Sequence, residues 1–414
     1  MVVTQYYTDD CQKNNLFKMK YIVIIGSGIV GLATAYTILC NKPDFKITII
    51  EKEFDVALHQ SGNNSGVLHA GLYYKPGSLK AKYAVAGLRQ MINFCNVHNI
   101  PYEQCGKLVV ATNINELKLL HGLFDRGVVN GLKGLRLICK DELTEIEPNV
   151  AGLAGIHVPE EGIIDYPAVC TKMKELIISR GGQFIFDTQV TGISSKNDGW
   201  LVQSSNGEFY ADKVVTCAGL YSDKMVTLSG YKSVSKIIPF RGEYFKLKKK
   251  SEHLVKNLIY PVPDPKFPFL GVHFTRLIGG GIEAGPNAVL AFAREGYSIR
   301  NINLLEMLDY LGYAGFWRFI INNPKLVGYE MYRSLSRKEF TKSLQKLVPI
   351  IQESDLEEGG AGVRAQAMST QGYLVEDFEY FERNGLIHLI NAPSPAATAS
   401  LAIGNEICNK LSIY

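Results

Sequence analysis

An apolar segment followed by three closely spaced glycines constrains the fold of this chain more than any other feature. The segment is Tyr21–Ile25, and Gly26, Gly28 and Gly31 follow it, before a longer apolar stretch that continues to Leu39. The pattern predicts a strand, a tight turn and a helix, because glycine permits the turn and lets the backbone lie close to a ligand. In such a turn the free N–H groups of the helix N-terminus can bind phosphate.

An acidic residue ends the second predicted strand. This strand covers residues 45–50, and Glu51 follows it twenty residues beyond Gly31. A carboxylate at this place accepts hydrogen bonds from both hydroxyls of an adenosine ribose, so the spacing predicts a dinucleotide with an unphosphorylated ribose. The alternative is a membrane span over residues 21–41, which carry no charge. Three glycines, two threonines and a serine within the stretch disfavour that alternative.

The composition narrows the class of protein. A chain of 414 residues is long enough for about two domains. Its 44 basic and 40 acidic residues are nearly balanced, so we do not expect a nucleic-acid partner. The eight cysteines include no C-x-x-C pair and stand in no metal-ligand spacing, which favours buried free thiols in a reducing, cytoplasmic compartment and no metal site. Residues 1–18 lack the features of a signal peptide and are predicted to be a loose leader.

A loop rich in glycine and short polar residues follows Glu51. It runs from His59 to Gly77, contains four glycines and is too irregular for a regular strand. A loop of this composition allows its backbone to approach a ligand closely.

This loop and six further segments closely resemble the L-2-hydroxyglutarate dehydrogenase/oxidase family, which belongs to the FAD enzymes similar to D-amino-acid oxidase. The six segments follow one another in the same order as in the family: PFRGEY at 239–244, YPVPD at 260–264, GVHFT at 271–275, GPNA at 285–288, GVRAQA at 362–367 and NAPSPAAT at 391–398. The resemblance covers the chain from about Tyr21 to its C-terminus.

The resemblance implies an α/β fold with two domains. A Rossmann-like FAD-binding domain is expected to comprise residues 19–78, 150–235 and 356–414. A second domain, built from an antiparallel sheet with helices and binding the substrate, is expected to comprise residues 79–149 and 236–355. The short strands separated by proline and glycine between 237 and 287 agree with such a sheet.

The resemblance also implies a reaction, the oxidation of L-2-hydroxyglutarate to 2-oxoglutarate. A hydride leaves substrate C2 for flavin N5 while a base takes the hydroxyl proton. Histidine is the usual base near neutral pH. We rank His69 first, because its loop resembles the flavin-lining loop of the family, and His273 second. For both, a structural hydrogen-bonded histidine is an equally strong alternative.

A dianionic substrate needs cationic partners for its two carboxylates. Arginine suits this role better than lysine because its guanidinium binds a carboxylate through two hydrogen bonds. Arg241 and Arg364 are therefore the leading candidates, and Tyr74 and Lys75 are weaker ones. The alternative for the arginines is a surface role near a glycine turn.

The FAD neighbours implied by the resemblance extend the glycine turn. The backbone near 393–398 is expected to stabilise negative charge on the flavin, although a simple helix cap is the alternative. The complete set of predicted cofactor-binding residues is Gly26, Gly28, Ile29, Gly31, Glu51, Lys52, Ser61, Asn64, Val190, Ala218, Gly219, Ser394 and Ala396.

The final electron acceptor is left undecided by the residues. Oxygen, a membrane quinone and a carrier protein are all compatible with the sequence, and the resemblance favours a membrane acceptor.

The stretch 302–348 is predicted to be helical and rich in aromatic residues, and it contains five basic residues: Arg318, Lys325, Arg333, Arg337 and Lys338. It could form a surface that contacts a membrane, which in a eukaryote would be the inner mitochondrial membrane. Alternatively, it could be a helix buried against the sheet. We favour burial. A related amino-acid oxidase and a flavin-binding subunit without turnover are the alternative functions.

Overall fold

The computed structural model of the protein describes residues 20–265 and 270–413. The predicted leader, residues 1–18, lies outside the described residues. Within them the chain alternates between helices and strands, as the α/β prediction requires. The helices are α1 Ile29–Asn41, α2 Leu79–His98, α3 Ile114–Val129, α4 Lys140–Ile146, α5 Tyr166–Ser179, α6 Ser222–Leu228, α7 Leu304–Leu311, α8 Ala314–Asn322, α9 Pro324–Leu335, α10 Arg337–Gln345 and α11 Ser400–Lys410.

The strands form two large and two small sheets. In chain order they are β1 Tyr21–Ile25, β2 Lys46–Ile50, β3 Val67–Leu68, β4 Tyr102–Glu103, β5 Lys107–Ala111, β6 Arg136–Cys139, β7 Ala154–Val158, β8 Gly162–Ile164, β9 Gln183–Ile185, β10 Val190–Lys196, β11 Gly199–Ser204, β12 Gly207–Ala211, β13 Lys213–Thr216, β14 Ser235–Leu247, β15 Leu258–Pro261, β16 His273–Arg276, β17 Ile282–Gly285, β18 Val289–Leu290, β19 Leu356–Ser369, β20 Glu379–Arg383 and β21 Leu386–Asn391.

The first large sheet carries the glycine turn. Its six strands stand in the order β20-β21-β13-β1-β2-β9, and β1 pairs in parallel with both β2 and β13. The central strand β1 is almost wholly buried and entirely apolar apart from Tyr21 at its start, as expected for a parallel strand covered on both sides. Strand β13, from the later part of the expected FAD-binding domain, thus lies directly beside β1.

Helix α1 lies against the C-terminal helix α11 and against α5. Its packing is close because α11 has a glycine at the contact: a Cβ atom on Gly404 would lie 2.9 Å from the backbone oxygen of Ala33. The first and last helices of the described chain, α1 and α11, therefore pack together in one layer beside the six-stranded sheet.

The second large sheet is mainly antiparallel. It contains β18-β14-β17-β16-β15-β5-β7-β6 in that order, with β19 paired to β14 along most of its length. This confirms the expected antiparallel sheet from 237 onward. Two strands expected in the FAD-binding part, β7 and β19, pair in this sheet instead, because β7 lies beside β5 and β19 beside β14. The domain limits themselves stay a prediction.

The predicted helical stretch 302–348 comprises four helices, α7 to α10. The buried side of α8 packs on the sheet, where the rings of Phe319 and Phe240 meet edge to face with centroids 6.1 Å apart. Of the five basic residues predicted beside the aromatic face, Arg333 is buried and pairs with Glu330, whereas Arg318 and Lys325 are exposed. Among the described residues, none of the helices combines the length and the apolar character needed to span a bilayer.

Candidate active site

A cavity of about 1050 Å³ lies between the two large sheets. It is lined by the glycine turn, the loop that follows Glu51, strands of the second large sheet and the C-terminal turn, residues 392–398. Its volume is at the upper end of the range for ligand sites. Sixteen of the predicted site residues line it: Gly26, Gly28, Ile29, Glu51, Lys52, Ser61, Asn64, His69, Tyr74, Val190, Ala218, Gly219, His273, Arg364, Ser394 and Ala396.

The glycine turn is shaped by backbone contacts that exclude a side chain. Gly26 has a φ of 101°, and a Cβ atom there would lie 2.5 Å from the backbone oxygen of Cys217. A Cβ on Gly31 would lie 2.0 Å from the oxygen of Gly26, so Gly31 keeps the helix close to the turn and does not itself line the cavity. Helix α1 has no side-chain cap and no acid in its first turn, which suits an anionic pyrophosphate at this end.

Glu51 is held in place at the end of β2. Its Oε2 accepts hydrogen bonds from the Ser27 amide at 2.7 Å and the Ser27 hydroxyl at 2.9 Å, and its Oε1 accepts one from the Glu53 amide at 3.1 Å. A carboxylate has about four acceptor positions, so these three bonds leave about one, on Oε1, for a ribose hydroxyl. The residues present therefore fit the adenosine end of a dinucleotide with an unphosphorylated ribose.

The ammonium group of Lys52 balances the charge of two carboxylates near Glu51, those of Glu53 and Glu295. It pairs with Glu53, lies 2.6 Å from Glu295 and lies 2.9 Å from Nε2 of His59. Glu53, His59 and Glu295 are close enough together to hold a metal ion, but the lysine ammonium already contacts all three. The cluster is an ion-pair network that connects the first sheet with the segment before α7.

Thr398 connects the C-terminal turn to the loop that contains His69 through hydrogen bonds. The Thr398 hydroxyl lies 2.6 Å from the Tyr166 hydroxyl, and it accepts a hydrogen bond from the His69 amide at 3.2 Å. Helix α11 begins only at Ser400, because residues 395–399 form turns. Ser394 and Ala396 line the cavity ahead of the helix.

His273 is buried in strand β16 of the second large sheet. Its Nδ1 lies 2.9 Å from the oxygen of Gly271, and its ring stacks on Tyr260 with centroids 3.9 Å apart. Burial lowers the pKa of His273 to about 3, and the nearby charge of Arg364 acts in the same direction. A neutral ring that donates from Nδ1 to a carbonyl leaves Nε2 as an acceptor.

Two of the predicted substrate-binding residues, Arg241 and Lys75, lie away from the cavity. Arg241 is 2% exposed and its Nη2 lies 2.8 Å from Oε1 of Glu243. Successive side chains of a strand point to opposite sides, and Gly242 and Tyr244 are the residues of this strand that line the cavity. Lys75 is exposed at the surface and does not line the cavity either. The structure thus brings Arg364, but not Arg241 or Lys75, together with the two histidines.

Three charged residues that the sequence did not single out lie at the site. Lys107 and Glu161 form a buried ion pair at 2.6 Å behind His69, and Nδ1 of His69 lies 3.6 Å from Oε2 of Glu161. Lys80 lines the cavity, with its ammonium 4.9 Å from the ring centroid of Tyr74. The one signal available was a lysine at the start of an otherwise apolar strand, Lys107 in β5.

Comparison with known proteins shows the family to which the chain belongs. The family described as FAD dependent oxidoreductase matches residues 21–410. An L-2-hydroxyglutarate dehydrogenase of Indibacter alkaliphilus is 52% identical over 94% of this chain and 97% of its own length. The chain belongs to the L-2-hydroxyglutarate dehydrogenase family. It is an FAD-dependent oxidoreductase, and the predicted family and cofactor are confirmed.

Other family members and solved structures agree. L-2-hydroxyglutarate dehydrogenase of Escherichia coli K12 is 43% identical, and the mitochondrial one of Caenorhabditis elegans is 45% identical, each over 94% of this chain and 92% of the relative. Among solved structures, an L-alpha-glycerophosphate oxidase from Mycoplasma pneumoniae with FAD bound superposes with a TM-score of 0.77 at 24% identity, covering 96% of this chain and 95% of that one. A glycine oxidase from Geobacillus kaustophilus gives 0.70 at 17% identity, over 95% of each chain. These two structures confirm the predicted fold.

Proposed function

We propose that this member of the family oxidises L-2-hydroxyglutarate to 2-oxoglutarate, as the names of its relatives suggest. The observation that carries the proposal is a single cavity that extends from the phosphate-binding turn at Gly28 to His69, His273 and Arg364. Bound FAD supplies the hydride acceptor in this chemistry.

His69 is the proposed base. It lines the cavity on a loop whose backbone is fixed by the hydrogen bond from the His69 amide to Thr398. Burial holds the pKa of His273 well below its usual value, so its neutral ring is a poor proton acceptor and the substrate hydroxyl is left to His69. His69 takes the hydroxyl proton as the C2–H bond breaks.

Arg364 is the proposed partner of one substrate carboxylate. It lies on β19 and lines the cavity, and its charge influences both His273 and Tyr244. A guanidinium can bind the carboxylate through two parallel hydrogen bonds. For the second carboxylate we propose Lys80 in place of Arg241, because Lys80 lines the cavity beside Tyr74.

Anaerobic mixing of the FAD-loaded protein with L-2-hydroxyglutarate tests the reaction. We expect the flavin absorbance to bleach, with 2-oxoglutarate formed in an equal amount, and D-2-hydroxyglutarate to leave the spectrum unchanged as the matched control. Bleaching by small amino acids instead would support the amino-acid oxidase alternative. A flavin spectrum that no hydroxy or amino acid alters would support a binding subunit without turnover.

For the electron acceptor we propose a membrane quinone, reached by contact of α7 and α8 with a bilayer. Leu305 and Leu308 on α7 are 79% and 65% exposed, and Trp317 and Ile321 on α8 are 50% and 72% exposed. The Trp317 Nε1 atom donates a hydrogen bond to the Leu311 oxygen at 2.7 Å, which links α8 to the end of α7. Apolar patches of this kind mark membrane or partner contacts.

The charges around the α7–α8 surface suit an anionic bilayer. Arg300 just before α7, Arg318 on α8 and Lys325 at the start of α9 are exposed, whereas Asp309 on α7 is neutralised by Lys224 at 2.8 Å and by further basic residues. Basic residues near a bilayer are attracted by acidic lipids. Glu306, also on α7, lines the cavity, so membrane contact through this helix would hold the site close to the bilayer.

Exchanging Leu305 and Leu308 for glutamate should abolish vesicle binding, because each buried leucine contributes about 1.5–3 kcal/mol. We expect the parent protein to float with vesicles of equal phosphatidylglycerol and phosphatidylcholine, and more weakly with pure phosphatidylcholine. The variant Val128→Glu/Val129→Glu, which changes exposed residues on α3, is the matched control and should float like the parent. Equal flotation of the parent and the α7 variant would contradict membrane contact through this surface.

A further inference from the structure

A buried ion pair lies directly behind the proposed base. The side chains of Lys107 and Glu161 are 0% and 1% exposed, and their charged atoms are 2.6 Å apart. Neither residue lines the cavity. Removing two charges from water costs about as much as their attraction returns, so a buried pair of this kind is weak evidence of a stabilising role. Its place next to His69 therefore calls for a functional explanation.

The carboxylate of Glu161 contacts both the ring and the backbone of the His69 segment. One oxygen, Oε1, accepts a hydrogen bond from the amide of Ala70 at 3.3 Å. The other, Oε2, lies 3.6 Å from Nδ1 of His69. The backbone oxygen of Glu161 is itself fixed by the Gly106 amide at 3.0 Å. The carboxylate is thus anchored on one side and directed at the imidazole on the other.

Lys107 provides the positive charge that keeps this carboxylate ionised. Its ammonium lies 4.4 Å from the ring centroid of Tyr73 and 4.9 Å from that of Tyr260, so it is enclosed by two aromatic rings that line the cavity. Burial alone would raise the pKa of Glu161, but Lys107 and His69 hold it well below its usual value. Glu161 is therefore an anion throughout the neutral pH range.

The other titratable groups near Glu161 and His69 carry little variable charge. Tyrosines on several elements surround the carboxylate, and burial raises the pKa of each phenol, so they stay neutral: Tyr73, Tyr74, Tyr166 and Tyr260. His273 is neutral as described above, and Arg364 is permanently charged. The charges that govern proton transfer at this site are therefore those of Glu161, Lys107 and His69.

We propose that Glu161 is a positioning residue for His69. It accepts a hydrogen bond from Nδ1–H of the imidazole, which leaves the Nε2 lone pair for the substrate hydroxyl, and it stabilises the imidazolium that forms when Nε2 takes the substrate proton. The distance of 3.6 Å exceeds that of a hydrogen bond, and catalytic contacts of this kind often shorten only in the substrate complex. This role rests on the proposed function of His69 as the base.

The variant Glu161→Gln tests the proposal, because it keeps the size of the side chain and removes its charge. We expect flavin reduction by L-2-hydroxyglutarate in a single turnover to slow by about 10–100-fold, by analogy with the loss of a carboxylate that orients a metal-bound histidine. The acidic limb of the rate–pH profile should also move to lower pH, because the imidazolium loses the anion that stabilises it. The bound FAD content should stay equal to that of the parent.

The double variant Lys107→Met/Glu161→Gln separates positioning from charge balance and avoids an unpaired buried ammonium. If Glu161 only neutralised Lys107, the double variant would regain the parental rate, and this result would overturn the proposal. We expect it to stay slow. Glu147→Gln is the matched control, since Glu147 is equally buried but binds the backbone amides of Lys256 and Asn257, and its rate and pH profile should equal those of the parent.

The outcomes distinguish this proposal from the proposed function. A parent protein whose flavin is not bleached by L-2-hydroxyglutarate would refute the function itself. A bleached parent together with a Glu161→Gln variant of unchanged rate and unchanged acidic limb would refute only the positioning role.

Discussion

Replacing His69 with asparagine should slow the reduction of bound FAD by L-2-hydroxyglutarate by about 10²–10⁴-fold, the usual contribution of a general base. Asparagine is of similar size and can keep polar contacts, but it cannot accept a proton at neutral pH. The amide of residue 69 would still donate to Thr398, so the loop should keep its position.

Anaerobic stopped-flow measurement of flavin bleaching checks this expectation, because it isolates the reductive step from the unknown electron acceptor. FAD content and the dissociation constant for 2-oxoglutarate should change little in His69→Asn. The comparison variant is His273→Asn, for which we expect a smaller loss of rate, since the buried neutral ring serves as a hydrogen-bond partner. A normal rate in His69→Asn would assign the base elsewhere, and His273 would be next.

Removing the guanidinium of Arg364 should weaken substrate binding by about 2–5 kcal/mol, which is roughly a 30- to 5,000-fold increase in the dissociation constant. The large effect is expected because the residue lines the cavity among apolar and aromatic groups, where a substrate charge would be shielded from water. Arg364→Lys keeps the charge but loses the paired hydrogen bonds, and should lie between the parent and Arg364→Ala.

The dissociation constant is best measured from the change in flavin absorbance on titration with 2-oxoglutarate. Lys75→Ala is the matched control: Lys75 is a cation next to the cavity residue Tyr74 but is exposed, so its loss should leave binding unchanged. Comparing L-2-hydroxyglutarate with L-2-hydroxybutyrate shows which carboxylate is bound, because loss of a contact to the distal carboxylate would abolish the preference for the dicarboxylate. Parental affinity in Arg364→Ala would rule out carboxylate binding by this residue.

The dinucleotide half of the site could be predicted because its signals are local. The turn at Gly26 needs a positive φ, the helix needs a glycine at 31 for close contact, and Glu51 ends the next strand of the same βαβ unit. Each requirement acts over a few residues, so it leaves a readable pattern in the sequence.

The substrate half was harder because its residues come together only through tertiary pairing. Lys107 and Glu161 are distant in the chain and meet because β5 pairs with β7, which leads into the turn that carries Glu161. The sequence placed Arg241 on a strand that borders the cavity, but it did not show which side of this strand faces the cavity. A shift of one residue along a strand exchanges the two sides of a sheet. Arg241 therefore contacts Glu243, whereas Gly242 lines the cavity.

The strand order of the six-stranded sheet also affects how the protein is made. Its inner strand β13 lies between β1, near the start of the chain, and β21, near its end. At a translation rate of about 5–20 residues per second, β21 is synthesised on the order of ten seconds or more after β13. Until then the apolar edge of a half-built sheet is exposed, so we expect nascent chains to engage chaperones and to acquire FAD only after synthesis is complete.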